Sequence, residues 1–295
     1  DGCLMLSLDE LYRVVCRPAL MKDTADMLEL TSHIWEGNDY LPKVWDEWLA
    51  DPYGFLAVAE YRGRVMGIAM LECQGPGEWY LAGLRVHPEM EGRGVAGRLH
   101  DYILDYWQRH YTSGVIRLVT YRPKVKHLCE RTGFRGVCEF TFFVAPSLFE
   151  SVETFTLAEI DHVPKILTVG YESPVYAWLG RMYGHGWSWS APQPKFIEQA
   201  IEKKNAWLWR GGLGALVTGE DSDDAGPFPY IEWLGCPEQF LPELLLDYRR
   251  LAAANGCQKV SWVASLHPDL QPYLDGAGFT RDWDNALTLF ELTRE

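Results

Sequence analysis

The stretch Gly83-Leu84-Arg85-Val86-His87-Pro88-Glu89-Met90-Glu91-Gly92-Arg93-Gly94-Val95-Ala96-Gly97-Arg98-Leu99 decides the reading of this chain. A strand pattern ends at Val86, Pro88 breaks it, and a glycine-bearing turn opens directly into a long helical pattern. The first N–H groups of such a helix lack intrahelical acceptors, and together with the dipole they favour an anion. Gly92, Gly94 and Gly97 remove side chains where a pyrophosphate would approach the backbone. Charge supplies an independent check. From Arg85 to Arg135 there are ten basic and five acidic side chains, so this stretch is +5 and the rest of the chain is −19. An acidic chain that gathers basic groups around one glycine turn points to a polyanionic ligand there, set against ordinary clustering on a solvated helix face.

Composition narrows the function classes. The 295 residues are 47% hydrophobic, which excludes disorder and fibre. Acidic side chains outnumber basic ones 41 to 27, giving −14, and general nucleic-acid binding is excluded on that ground. No window approaches the ~18 apolar residues of a membrane helix, and the first ten residues carry acids where a signal peptide carries basic groups. A cytoplasmic protein without a membrane partner is expected. Seven cysteines without a CxxC pair argue against a disulfide framework or thiolate zinc, and eight scattered histidines give no local metal motif. No metal is expected.

Outward from the glycine turn, the first half reads as an α/β domain. Tyr12 to Arg17 forms a short strand, a helix starts near Asp23 to Asp26 and runs to Trp35, and another follows Pro42 to Asp51. Gly54 to Tyr61, Arg64 to Glu72 and Glu78 to Val86 form an antiparallel meander, with turns at Arg62-Gly63 and at 74–77. Gly94 to Tyr111 is an amphipathic helix, followed by a strand at 115–121, a short helix at 124–132 and a strand at 140–145. The second half repeats this order with weaker signals. Leu128 to Phe134 can be laid over Tyr273 to Phe279, either as a trace of duplication or as chance likeness of two helix-to-strand corners. Two domains, 1–146 and 147–295, are expected, with an acidic surface turn at 220–224.

These residues resemble the GNAT acetyl-CoA-dependent N-acetyltransferases. That family carries Gln or Arg, two residues, Gly, one residue and Gly or Ala after a strand ending Leu-x-Val-x-Pro; here Leu84-Arg85-Val86-His87-Pro88 precedes Glu91-Gly92-Arg93-Gly94-Val95-Ala96. Leu128 to Phe134 sits where the family has a Leu-Tyr-x-x-x-Gly-Phe corner. The resemblance implies tandem GNAT-like folds, each a mixed, mostly antiparallel sheet flanked by helices. It also implies acetyl-CoA as cosubstrate, its pyrophosphate on the amides of Gly92, Arg93, Gly94, Val95, Ala96, Gly97 and Arg98. Leu84 would hold the acetyl carbonyl through a free amide on a bulged strand, and Val86 would pair with pantetheine, with Arg85 between them. Tyr40-Leu41-Pro42, Trp48-Leu49 and Asp51-Pro52 further resemble the vertebrate histidine N-acetyltransferase group. That implies a small-molecule primary amine as acceptor, a free amino acid among the candidates, with Tyr40 beside it.

The chain departs from the family pattern in two places. Glu91 stands at the Gln/Arg position, and Cys129 stands where many members carry a proton-donating tyrosine. Cys129 is either the acid or a packing residue. For the base, Ala82 cannot serve and Tyr80 is weak, so Glu78, of like strand parity, is the first candidate and Glu72, across the hairpin, the second. The equivalent helix start in the second half, Glu238-Gln239-Phe240-Leu241-Pro242, lacks glycines, so that half is expected to complete the acceptor site and hold no coenzyme A. Trp187 and Trp189, among glycines at 184 and 186, either enclose the acceptor or form an aromatic plug. The alternative to an enzyme is a catalytically weak GNAT pair that senses acyl-CoA or docks a protein, favoured by Cys129 and Glu91.

Overall fold

The computed structural model describes residues 13–151 and 153–295. Two compact units emerge: residues to Leu118 with His127–Phe134 and Glu291–Glu295, and Val119–Lys126 with Arg135–Phe290. Both are mixed α/β.

In the first unit, β1 (Val15–Pro18), β2 (Phe55–Tyr61), β3 (Arg64–Gly75) and β4 (Glu78–Val86) form the expected antiparallel meander. Tyr12, expected to open β1, lies outside the described residues. Arg62 and Gly63 both take positive φ, +53° and +78°, which is the twist a two-residue hairpin needs. One sheet face is covered by α1 (Thr24–Ser32) and α2 (Leu41–Ala50), whose Met27, Leu30, Leu41, Trp45 and Trp48 pack on Leu56, Val58, Ile68 and Met70. The expected extension of α1 to Trp35 is not made; the chain turns at Trp35 and Glu36, which take φ +45° and +58°. The other face carries α3 (Val95–His110), which buries Val95, Leu99, Ile103 and Trp107. Gly67 on β3 admits this helix: a Cβ there would stand 3.2 Å from Val95. β5 (Gly114–Thr120) runs parallel to β4 but pairs only from Glu78↔Val115 to Tyr80↔Arg117.

The second unit repeats the plan. β7 (Phe155–Leu157), β10 (Ala206–Trp209), β11 (Gly214–Asp223) and β12 (Gly226–Gly235) pair antiparallel, and β13 (Lys259–Ser265) joins β12 in parallel. The register slips on each inner hairpin, at Ile68/Met70 and Cys73/Gly75 in the first unit and at Val217/Thr218 in the second. The flanking helices are α5 (Val163–Glu172), α7 (Pro194–Glu202) and α8 (Leu241–Ala254). The acidic segment forms the exposed tip of the β11–β12 hairpin, with Asp223 paired to Lys259. Tyr183–His185 and Ser188–Ser190 form a small hairpin, β8 and β9, in place of the glycine-hinged loop.

The observed units do not divide at residue 146. β6 (Arg135–Pro146) pairs from Phe140↔Ser265 to Pro146↔Lys259, which ties it to the second unit. Glu291 and Arg294, near the end of β15 (Leu287–Arg294), bond Arg117 and the carbonyls of Gln108 and Tyr111, which ties the last residues to the first.

Candidate active site

The first unit brings the glycine turn, an open strand edge and a buried carboxylate together around β4. Ile68 faces Arg85 and Met70 faces Ala82, so Gly83 and Leu84 stand opposite the single residue Ala69 as a β-bulge. Gly83 takes φ +62°, and a Cβ on it would lie 2.7 Å from the Trp48 ring. Both facts require glycine. His87 N–H reaches Met66 O at 2.9 Å. By alternation, Leu84 and Val86 then turn their N–H groups to the other edge, where pairing with β5 has already stopped at Tyr80. Unpaired backbone donors at this edge are the feature that a thioester carbonyl and an amide-bearing chain would meet.

The turn from His87 to Gly94 is built by short-range bonds. Met90 N–H donates to His87 O at 2.8 Å and Glu91 N–H to Pro88 O at 3.2 Å. Gly92 and Gly94 take φ +72° and +84°, conformations that β-branched side chains avoid. The first bond of α3 runs from Arg98 N–H to Gly94 O. The preceding N–H groups of Val95, Ala96 and Gly97 therefore have no intrahelical acceptor, and Gly97 leaves their approach free of a side chain. The donor set fits a pyrophosphate. Glu91 is exposed and does not block it. The basic cluster contributes less than its count implied: Arg85, Arg109, Arg117 and Arg131 are committed to Asp39, Asp105, Glu78 with Glu291, and Asp101. Arg98 lies against Cys16 of β1.

On the α1–α2 face of β4, Glu72 lies in register with Tyr80, which is buried. Its carboxylate takes hydrogen bonds from the Trp48 side chain and from Gln74 Nε2, the latter at 3.0 Å. Burial pushes it up to about 7. Tyr40 stands nearby, edge-on to Trp48 at 6.0 Å between centroids, with its hydroxyl beside Gly83 N–H, Arg85 and Glu72. Burial of that hydroxyl pushes it up to about 12, so it remains protonated. Arg85 is fixed by Asp39 at 2.7 Å, stacks over Trp35, and donates to Leu84 O at 3.2 Å, which braces the bulge.

Glu78 is ion-paired with Arg117, so its lone pairs are already engaged by a guanidinium and Glu72 replaces it as the candidate base. Cys129, on α4 (Pro123–Arg131), is fully buried, and burial pushes its thiol up to about 12; it packs and offers no surface to a departing thiolate. Trp189 is 3% exposed against Phe140, a plug within its own unit, whereas Trp187, at the hairpin turn, is 64% exposed. Glu29, His33 and His87 also converge, a cluster without a sequence signature. Both histidine Nε2 atoms lie 3.2 Å from Glu29 Oε1, and His87 Nδ1 accepts the Glu89 N–H. Neutral His87 therefore carries its proton on Nε2 and spends it on Glu29, which anchors the glycine turn to α1 and leaves no Nε2 lone pair for a metal.

The chain is similar to known proteins over its whole fold and over part of its sequence. Residues 22–134 match the acetyltransferase (GNAT) family model. A histidine N-acetyltransferase of Xenopus tropicalis is 28% identical over 144 residues, 47% of this chain and 44% of that protein. The matched stretches span 28–44% of the curated relatives' own length. A GCN5-related N-acetyltransferase from Sphaerobacter thermophilus superposes with TM-score 0.64 at 12% identity, covering 96% of both chains. A tandem GNAT protein from the clavulanic acid biosynthesis pathway superposes with TM-score 0.61 at 10% identity, over 96% of this chain and 99% of that one. Those two likenesses establish a tandem GNAT fold, no helix among the described residues is long and apolar enough to cross a membrane, and the glycine turn and bulged strand lie inside residues 22–134, the stretch that matches the acetyltransferase (GNAT) family model.

Proposed function

We propose that the chain is an acetyl-CoA-dependent N-acetyltransferase acting on the primary amine of a small molecule, with its reaction centre at the Gly83–Leu84 bulge. The observation that carries this reading is the coincidence, on one strand, of the bulge, the unpaired edge and the glycine turn, with a buried carboxylate across the hairpin. The donor supplies a thioester carbonyl, and attack by the amine nitrogen forms the C–N bond as the C–S bond breaks and the sulfur leaves as a thiolate, which takes a proton from solvent. Leu84 N–H stabilises charge on the carbonyl oxygen, an effect that oriented backbone donors exert without reorganising. The amides of Val95, Ala96 and Gly97 hold the pyrophosphate. Glu72 accepts the proton the amine loses, directly or through one water, and its midpoint near 7 suits that role at neutral pH. Tyr40 and Trp48 flank the amine as rigid walls.

The family's amine chemistry and the histidine N-acetyltransferase relatives support a free amino acid as the acceptor class. The test is mass detection of acetylated products from acetyl-CoA with the free amino acids, a polyamine, an aminoglycoside and a short peptide. One acetylated small amine supports the proposal. Saturable acetyl-CoA binding with no product from any amine would transfer the reading to an acyl-CoA sensor.

A further inference from the structure

A carboxylate buried in the second unit is hydrogen-bonded by neutral donors and has His185 as its ion-pair partner. Glu232 stands where β11 and β12 slip register, and its side chain is 9% exposed. Tyr183 Oη donates to Oε2 at 2.7 Å and Tyr230 Oη to Oε1 at 3.2 Å. Both donors are neutral, so they satisfy lone pairs without cancelling the charge, and an ionised carboxylate has room for about two more donors. His185 Nδ1 lies 3.8 Å from Oε1, beyond hydrogen-bond range, and that nitrogen is itself buried without a hydrogen-bond partner. Buried charges in proteins are paired or ligated.

The carboxylate faces a cavity of about 20 Å³ whose walls include Phe140, Trp189, Tyr230 and Trp262. Such a space admits one water-sized group. Phe140, Trp189 and Trp262 are each no more than 3% exposed, so these walls are set by packing before any ligand arrives. Gly184 and Gly186 line another side and place no side chain there. Aromatic walls attract organic cations through their ring quadrupoles, and a carboxylate adds a full charge and free acceptors. We infer that the Glu232 cavity is a binding site for the ammonium head of a small amine. The head is close to a water in size and its N–H groups match the unused carboxylate lone pairs. A sodium ion would find one carboxylate and rings in place of the oxygen ligands it needs. The inference concerns the second unit alone and does not depend on catalysis in the first.

The test is calorimetric titration of the full chain with methylammonium, with sodium chloride as the ionic-strength control, on the native protein, Glu232→Gln and Glu72→Gln. The expected result is saturable methylammonium binding, at least tenfold weaker in Glu232→Gln. Binding lost in Glu72→Gln but kept in Glu232→Gln would place the amine in the first unit and overturn the inference, as would no saturable binding at all. Should Glu232→Gln fail to fold, the indole NMR signals of Trp189 and Trp262 in the native chain decide. They must shift with methylammonium and not with sodium chloride; signals that stay still overturn the inference.

Discussion

Replacing Glu72 with Gln separates a catalytic carboxylate from a merely buried one, because the two readouts move in opposite directions. Burial raises this carboxyl from 4.5 to about 7. The folded chain therefore holds the proton more tightly than the unfolded chain, and stability falls as pH rises from about 4.5 through 7. A displacement of that size corresponds to on the order of 3 kcal/mol, fully felt above pH 7 and absent below about 4. Gln bears no charge and keeps the shape, so at pH 8 the variant is expected to be more stable than the native chain by about 1–3 kcal/mol, and at pH 4 equal to it within ~1 kcal/mol. Activity moves the other way. About nine-tenths of the carboxyl is ionised at pH 8 and about one-tenth at pH 6, so the native kcat/KM climbs roughly tenfold along an acid limb centred near 7. In Glu72→Gln that limb disappears, leaving the slope of the amine's own titration, and the rate at pH 8 falls by roughly 10²-fold or more. Urea unfolding at pH 4 and 8, with the pH–rate profile, reads both. An unchanged acid limb, or a variant less stable at pH 8, would refute the assignment.

Gly83→Ala must place a Cβ 2.7 Å from the Trp48 ring at φ +62°, and about 1–2 kcal/mol of backbone strain alone is expected, with kcat/KM reduced more than acetyl-CoA binding; equal losses in both would show general unfolding. Gly94→Val, at φ +84°, distorts the helix start and is expected to abolish acetyl-CoA binding in calorimetry while the melting curve stays cooperative. Cys129→Ser buries a hydroxyl where a thiol packed, so stability drops by about 1–3 kcal/mol and kcat is unchanged; a selective fall in kcat would restore the thiol as the acid. Asp39→Asn leaves Arg85 without its buried partner, and a loss of about 3–5 kcal/mol is expected by denaturant unfolding.

The backbone of the first unit was legible because its signals are local. Arg62-Gly63 closes the hairpin expected of it, β4 spans Glu78–Val86 as read, and Pro88 and Gly94 set the start of α3 where steric rules put it. The choice between two hairpin glutamates was not legible. It depends on Arg117, 39 residues beyond Glu78, and on Trp48, 24 residues before Glu72, and no local pattern encodes either contact. One clue was present: the strand alternation that sets Glu72 opposite Tyr80 also sets it on the face with Met70, beneath the helix carrying Trp48. Cys129 and Trp189 show the limit from another side. A thiol and an indole suit a site or a core equally well by type, and only their near-complete burial decides. The closing strand escaped notice because its partners lie far away in sequence.

The two units share one strand plan yet use their glycines for different ends, and this explains why the second offers no matching anion turn. In the first unit two glycines lie just past the strand, at 92 and 94, where positive φ frames the start of α3. In the second, Gly235 closes β12 with a would-be Cβ 2.5 Å from Gly170 of α5, so here glycine serves helix-on-strand packing. The helix that follows, α8, is entered through Pro237 to Phe240, with Pro242 in its first turn. A proline nitrogen has no hydrogen to donate, and Phe240 stands at the N-cap position that Gly94 holds in the first unit. What the second unit has gained instead is Glu232 at the bulge, the position that Gly83 helps form in the first. Glycine there supplies the positive φ of the bulge, whereas Glu232 puts a carboxylate at the matching place. The shared strand plan thus carries the amide donors of a glycine turn in the first unit and a buried carboxylate at the matching bulge in the second.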